Sequence, residues 1–180
     1  MKKSIAIDMD NVLVDIELNW INWYEKAFGL RVEREAMRGI PEDAAFPDPI
    51  AARSLLYQPG FFLNAPIIEG AAEALQSLKE HYDLYIVSAA MEFPNSLIEK
   101  HDWLARYLPF ISWRNIVLCG DKSIIGTDIL IDDHTKNLDP FKGETILFTA
   151  GHNINVERHT RVNNWAEALD LLLVEERLAP

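Results

Sequence analysis

Ser4-Ile5-Ala6-Ile7-Asp8-Met9-Asp10-Asn11 begins with four uncharged residues, two of them β-branched, and runs straight into a pair of carboxylates. A run this short and apolar reads as a strand buried on both faces, as in a parallel sheet covered by helices. Four further runs share the pattern: Leu84 to Val87, Asn115 to Leu118, Asp128 to Ile131 and Thr145 to Phe148. Amphipathic segments alternate with them. Gly70 to His81 places Ala74, Leu75 and Leu78 on one helical face, and Phe93 to Leu108 does the same with Leu97, Trp103, Leu104 and Tyr107. A last helix starts near Asn164, an N-cap type of residue, with Trp165, Leu169 and Leu172 on one stripe. This alternation predicts an α/β fold, a doubly wound parallel sheet of about five strands. In such a sheet the strand C-termini share one edge, and ligands bind there.

Between the first strand and the segment at Gly70 lies a stretch too long for a crossover, containing Trp20, Trp23, Tyr24, Phe28, Phe46, Tyr57, Phe61 and Phe62. Pro41, Pro47, Pro49 and Pro59 break it into short pieces. The reading is a small helical cap over residues 15–65, with residues 1–14 and 66–180 forming the core domain. Its aromatic residues read mostly as cap core, with about a third of them facing the site and Phe61 and Phe62 packing at the hinge. Glu175 and Glu176 read as a solvated helix face.

The chain has 180 residues, 49% hydrophobic and 25% charged, which suits one main core. A formal charge of -11 repels phosphate backbones and anionic surfaces, so nucleic acid polymers and membranes are poor partners. A small anionic substrate remains open if the site supplies its own positive charge. Cys119 is the sole cysteine, which excludes an internal disulfide and a cysteine-based zinc site and points to a reducing, cytoplasmic setting. Asp8 and Asp10 interrupt the N-terminus before a signal-type apolar region forms. No apolar stretch approaches the roughly 18–20 residues of a membrane span.

Four strands end in polar residues: Asp8 and Asp10 after the first, Ser88-Ala89 after the second, Asp121-Lys122 after the third, Asp132-Asp133 after the fourth. Converging carboxylates repel one another unless a hard divalent cation sits among them, and oxygen ligands suit Mg²⁺. Lys122 and the Ser88 hydroxyl then offer positive charge and a donor to phosphate oxygens. Asn11, Asp15 and Asp121 read as residues that orient the turns. His152 and His159 lack a matching His or Cys spacing and read as surface or structural hydrogen-bonding residues.

This set resembles the haloacid dehalogenase-like phosphohydrolase superfamily, with Asp8-x-Asp10, Ser88, Lys122 and Asp132-Asp133 in the order of its four motifs. Within it the chain is most similar to the 5'(3')-deoxyribonucleotidases, through DMDNVLVD at 8–15, GFF at 60–62, GAAEAL at 70–75, KHDWL at 100–104, DKSII at 121–125, DILIDDH at 128–134 and LFTAGHN at 147–153 with Trp165 beyond. The resemblance implies a Mg²⁺-dependent phosphatase acting on (deoxy)nucleoside monophosphates through an aspartyl-phosphate. Asp8 would be the nucleophile and Asp10 the acid and base. Metal ligation would involve Asp8, Asp10 through its backbone carbonyl, and Asp133 or Asp132; phosphate would meet Ser88, the Ala89 N–H, Lys100 and Lys122. The resemblance also leans toward a homodimer. His134 stands where mammalian members carry arginine.

Three other readings compete. A phosphorylation-receiver domain would carry its acceptor Asp after a middle strand, where this chain has Ser88, and has no such cap. A dehalogenase needs no second acid at the position of Asp10. A phosphatase or phosphomutase for another small metabolite remains open, because the cap chooses the substrate.

Overall fold

The computed structural model describes residues 2–178, with side chains as far as residue 173, so the expected solvated face at Glu175 and Glu176 lies outside the described side chains. Six strands form one sheet: β1 (Ser4–Ile7), β2 (Asp83–Ser88), β3 (Ile116–Leu118), β4 (Ile129–Asp132), β5 (Glu144–Phe148) and β6 (Thr160–Val162). Their order is β3-β2-β1-β4-β5-β6, and every neighbouring pair is parallel. The helices are α1 (Ile16–Phe28), α2 (Pro49–Ser54), α3 (Ala71–Leu78), α4 (Pro94–Tyr107), α5 (Thr135–Leu138) and α6 (Trp165–Leu178). The strand order reverses between β1 and β4, and that switch point is where an open α/β sheet leaves a crevice outside its strand ends.

Both faces of the sheet are covered, which accounts for the near-continuous apolar runs. Ile5, Ile7, Ile86, Ile129, Ile131, Ile146 and Phe148 join one cluster with Ala74 and Leu75 of α3, Trp103 of α4 and Trp165 of α6. The alternate residues Ala6, Val87, Leu130 and Leu147 join a smaller cluster with Leu138. The expectation of about five strands misses β6. Only Val162 of its three residues is buried, and Arg161 at its centre donates to the carbonyls of Asn153 and Val156 at 2.9 and 2.6 Å, so no apolar run betrays it.

The insertion after β1 contains α1, 3-10 turns at Arg34–Met37 and Glu42–Ala45, α2, and a 3-10 turn at Leu55–Tyr57. Asp15 caps α1 by accepting the Leu18 N–H at 3.0 Å, and Gly29, at φ 70°, ends it. Asp48 caps α2, with Pro49 in its first turn. Trp20 packs on Phe46 at 5.2 Å and donates Nε1–H to the Ala52 carbonyl at 2.8 Å. These residues belong to the same apolar cluster as the sheet.

The seam between insertion and sheet domain is closed by backbone contacts. The Gly151 N–H reaches Glu17 Oε1 at 2.5 Å, and the Gly151 carbonyl accepts from Gly39 at 2.8 Å. A Cβ at Gly151 would lie 2.7 Å from Glu17 Oε1 and 3.2 Å from the Met37 carbonyl. Trp165, capped into α6 behind Asn164, donates Nε1–H to the Val12 carbonyl at 2.8 Å, tying the last helix to the loop after β1. We expect Trp165→Ala to lower the unfolding free energy by about 3–5 kcal/mol in urea titration. A loss below about 1 kcal/mol would mean that this contact does not hold the loop.

Candidate active site

The ends of β1 and β4 bring the acidic residues, and α4 and the turn after β3 the lysines, around one cavity of about 200 Å³. Asp8, Asp10, Ala89, Lys100 and Lys122 line it, together with Trp20, Phe62 and Phe93. Ser88, Asp132 and Asp133 are buried behind that wall. Of the eight aromatic residues of the insertion, Trp20 and Phe62 therefore reach the cavity, while Trp23, Tyr24, Phe28 and Phe46 pack in ring contacts within the insertion and against Phe61.

Asp8 emerges from β1 with its N–H bonded to the Ile131 carbonyl at 2.9 Å. Its Oδ1 receives the Met9 N–H at 2.7 Å and Lys122 Nζ at 2.6 Å. Lys122, buried at the start of a 3-10 turn that Asp121 caps, also reaches Asp132 Oδ2 at 2.7 Å. Burial alone would discharge this ammonium, but Asp8 and Asp132 outweigh that cost and push its pKa up. Burial raises Asp8 to about 7, with Lys122 opposing and Asp132 and Asp10 adding to the rise.

Lys100 is buried on α4 and spans Asp10 Oδ2 at 2.5 Å and Ser88 Oγ at 2.9 Å, with its ammonium 5.0 Å from the Phe62 ring centroid. The residue before it, Glu99, accepts the N–H groups of Gly60, Phe62 and Leu63 at 2.6, 2.9 and 3.2 Å. Glu99 thus fixes the loop that presents Phe62. A signal for it exists in the helical pattern: Ser96, Glu99, Lys100, Trp103 and Leu104 form the buried side of α4, and two charged residues on such a stripe require partners.

Asp132 is fully engaged. Its Oδ1 accepts the His134 N–H at 2.9 Å, its Oδ2 accepts Lys122, and Asn137 Nδ2 reaches both oxygens at 3.0 Å. Asp133 differs, because its Oδ2 accepts Asn11 Nδ2 at 3.1 Å while its buried Oδ1 has no hydrogen-bond partner among the described residues. Burial, then Asp8, Asp132 and Glu42, hold the Asp133 carboxyl well above its ordinary range. Asn11, at φ 56°, also donates to Glu42 Oε1 at 3.0 Å, so one amide joins the insertion to the acidic floor.

Asp8, Asp132 and Asp133 bring carboxylate oxygens within 4.8 Å of one another. An orphaned buried carboxylate oxygen in an all-oxygen donor set fits a hard cation such as Mg²⁺. Around that cluster, sequence reasoning passes over Glu42, Glu99 and Asn137. Asn137 lies on α5, five residues beyond the aspartate it holds, and Glu42 comes from a turn between two prolines. His159 bonds Thr145 and Asp139, both at 2.9 Å.

Comparison with known proteins fits this arrangement. The family model "5' nucleotidase, deoxy (Pyrimidine), cytosolic type C protein" matches residues 2–178. A 5'(3')-deoxyribonucleotidase of Bacillus subtilis is 42% identical over 170 residues, covering 93% of this chain and 96% of that protein. Among solved structures, a haloacid dehalogenase-like family hydrolase from Streptococcus pneumoniae superposes with a TM-score of 0.63 at 14% identity, covering 95% of this chain and 98% of its own. A Bacillus subtilis chain described as a HAD-hydrolase bound to magnesium superposes with a TM-score of 0.58 at 12% identity, over 95% of this chain and 98% of its own. The fold is haloacid dehalogenase-like, and the chain belongs to the family of 5' nucleotidases, deoxy (pyrimidine), cytosolic type C.

Proposed function

We propose that the chain is a Mg²⁺-dependent 5'(3')-deoxyribonucleotidase that hydrolyses deoxynucleoside monophosphates through an aspartyl-phosphate on Asp8. The observation that carries this reading is the state of Asp8: buried at the switch point, with Oδ1 held by Lys122 and the Met9 N–H. That grip leaves Oδ2 to attack phosphorus. The name of the Bacillus subtilis relative supports the substrate class.

Substrate phosphate enters beside Lys122 and Lys100, which supply local positive charge inside a chain of net charge -11. Lys100 turns from Asp10 to the phosphate oxygens, with Ser88 holding its other side and the Ala89 N–H adding a donor. Asp10 gives a proton to the leaving nucleoside oxygen as the P–O bond breaks and the Asp8–P bond forms. It then takes a proton from the water that attacks phosphorus, which returns Asp8 as a carboxylate and releases phosphate. Mg²⁺, held by Asp8, the Asp10 carbonyl and the free oxygen of Asp133, would offset charge between nucleophile and phosphate. Asp132, saturated by Lys122 and Asn137, positions the lysine instead of ligating the metal. In this reading residues 15–65 are the cap, and Trp20 and Phe62 are the faces it turns toward the nucleoside.

Three measurements test this. Asp8→Asn should cut phosphate release from deoxynucleoside 5'-monophosphates by about 10⁴-fold or more with unchanged circular dichroism; residual turnover near wild type would remove Asp8 as nucleophile. Chelation by EDTA should abolish activity and Mg²⁺ should restore it, whereas activity indifferent to chelation would contradict the metal role. In a panel of 5'- and 3'-nucleotides, sugar phosphates and an aryl phosphate, deoxynucleotides should be preferred. Turnover confined to sugar phosphates would sink the nucleotide assignment and leave the acid pair in place.

A further inference from the structure

Glu42, Asp133, His134 and His152 form a second donor cluster beside the acidic floor, with one ligand atom from each within 4.8 Å of the others. They come from the turn at Glu42–Ala45, the end of β4 and the turn after β5. The two imidazoles stack with ring centroids 4.2 Å apart and planes 18° from parallel.

Hydrogen bonding fixes the tautomer of His152. Its Nε2 lies 3.1 Å from the Asp133 backbone carbonyl, which can only accept, so Nε2 carries the proton. In the neutral ring Nδ1 is then a bare lone pair. It is buried, has no hydrogen-bond partner among the described residues, and faces Glu42 Oε1 at 3.6 Å. A lone pair set against a carboxylate oxygen, with water excluded, is repulsive unless a proton or a metal cation sits between them. The second ring points the same way: His134 Nε2 is 3.8 Å from Glu42 Oε2 and 3.9 Å from Asp133 Oδ2.

We propose that Glu42, His134 Nε2 and His152 Nδ1, with Asp133 Oδ2 as fourth donor, form a binding site for a divalent transition-metal ion of the Zn²⁺ type, adjoining the all-oxygen site at Asp8 and sharing Asp133 with it. Two imidazoles and two carboxylates are a borderline donor set that favours Zn²⁺ over Mg²⁺. Bonds of about 2.0–2.1 Å in a tetrahedron place ligand atoms about 3.4 Å apart. Glu42 oxygens lie 3.6 and 3.8 Å from the two rings, and Asp133 Oδ2 lies 3.9 Å from His134. Binding requires the partly exposed His134 ring to turn out of its stack on His152, because two nearly parallel rings cannot aim both lone pairs at one ion. The second shell is already built. A metal-bound imidazole normally donates its other N–H to a carbonyl or carboxylate, and His152 does so to the Asp133 carbonyl, which Asn153 Nδ2 also braces at 2.8 Å. Asn11 likewise holds one oxygen each of Glu42 and Asp133. An entry path exists as well: a cleft of about 390 Å³ lined by Gly39, Pro41, Asp43 and Arg53 opens onto Glu42, His134 and His152. Asp133 belongs to both donor groups, so occupancy here would bear directly on the acidic floor.

The test reads binding rather than turnover, so it stands apart from the substrate assignment. Full-length protein stripped of metal and saturated with Mg²⁺ is titrated with Zn²⁺ by calorimetry, and with Co²⁺ by visible absorption. We expect one Zn²⁺ per chain not displaced by millimolar Mg²⁺, and Co²⁺ bands typical of imidazole ligation. Glu42→Gln and His134→Gln, both partly exposed positions that should fold, should each weaken binding by about 100-fold or more, while Asp8→Asn should retain it. Absence of Zn²⁺ binding in excess Mg²⁺ would overturn the proposal. So would binding that survives both glutamine variants or is lost with Asp8→Asn, because the ion would then occupy the carboxylate cluster.

Discussion

The ammonium of Lys122, clasped between Asp8 and Asp132, is the constraint on which the rest of the structure depends. Three charged side chains share a buried site, and removal of Lys122 would strand two buried carboxylates without a counter-charge, a situation far more costly than the pairing is worth in isolation. The triplet therefore forces β1, β4 and the turn after β3 to end at one point, because each supplies one member. A parallel sheet provides that meeting place without added strain, since its strand ends already share an edge. Asn137, two hydrogen bonds deep in Asp132, extends the arrangement into α5, so even the shortest helix is part of the site.

Charge is arranged here in two layers. Next to the cavity, Lys100 and Lys122 face Asp8 and Asp10; behind them, Asp132 and Asp133 are closed off from solvent. The inner layer carries no positive charge, and burial first, then the neighbouring carboxylates, raises the carboxyls of Asp8 and Asp133. A site in this condition attracts cations and polarises whatever anion those cations hold. The overall negative charge of the chain is no obstacle, because field lines are focused locally by a low-dielectric wall of Trp20, Phe62 and Phe93.

How far the sequence reveals this follows from where each residue sits. Asp8, Asp10, Ser88, Asp132 and Asp133 stand at the ends of apolar runs, so strand periodicity and the shared edge of a parallel sheet are enough to bring them together. The same logic locates the helices at Ala71–Leu78 and Pro94–Tyr107 to within a few residues. Glu42 stays hidden because its partners lie across the chain, on segments with no period to read. The sequence reading of His152 as a structural hydrogen-bonding residue agrees with its bond to the Asp133 carbonyl, while its closeness to Glu42 and His134 exists only in space. Strand β6 escapes for a different reason: an edge strand needs few apolar residues, and Arg161 uses its position to bind backbone carbonyls rather than to fill a core.

Gly151 carries a consequence for how this architecture tolerates change. The insertion is pressed onto the sheet domain through Glu17 and Met37 at a point where only hydrogen occupies the Cα position facing them. A single methyl there would act as a wedge at the pivot of a lever. The fit between the insertion and the sheet is thus set at this point by a residue with no side chain, as it is at Gly39, where a Cβ would lie 2.5 Å from Asn155 Nδ2.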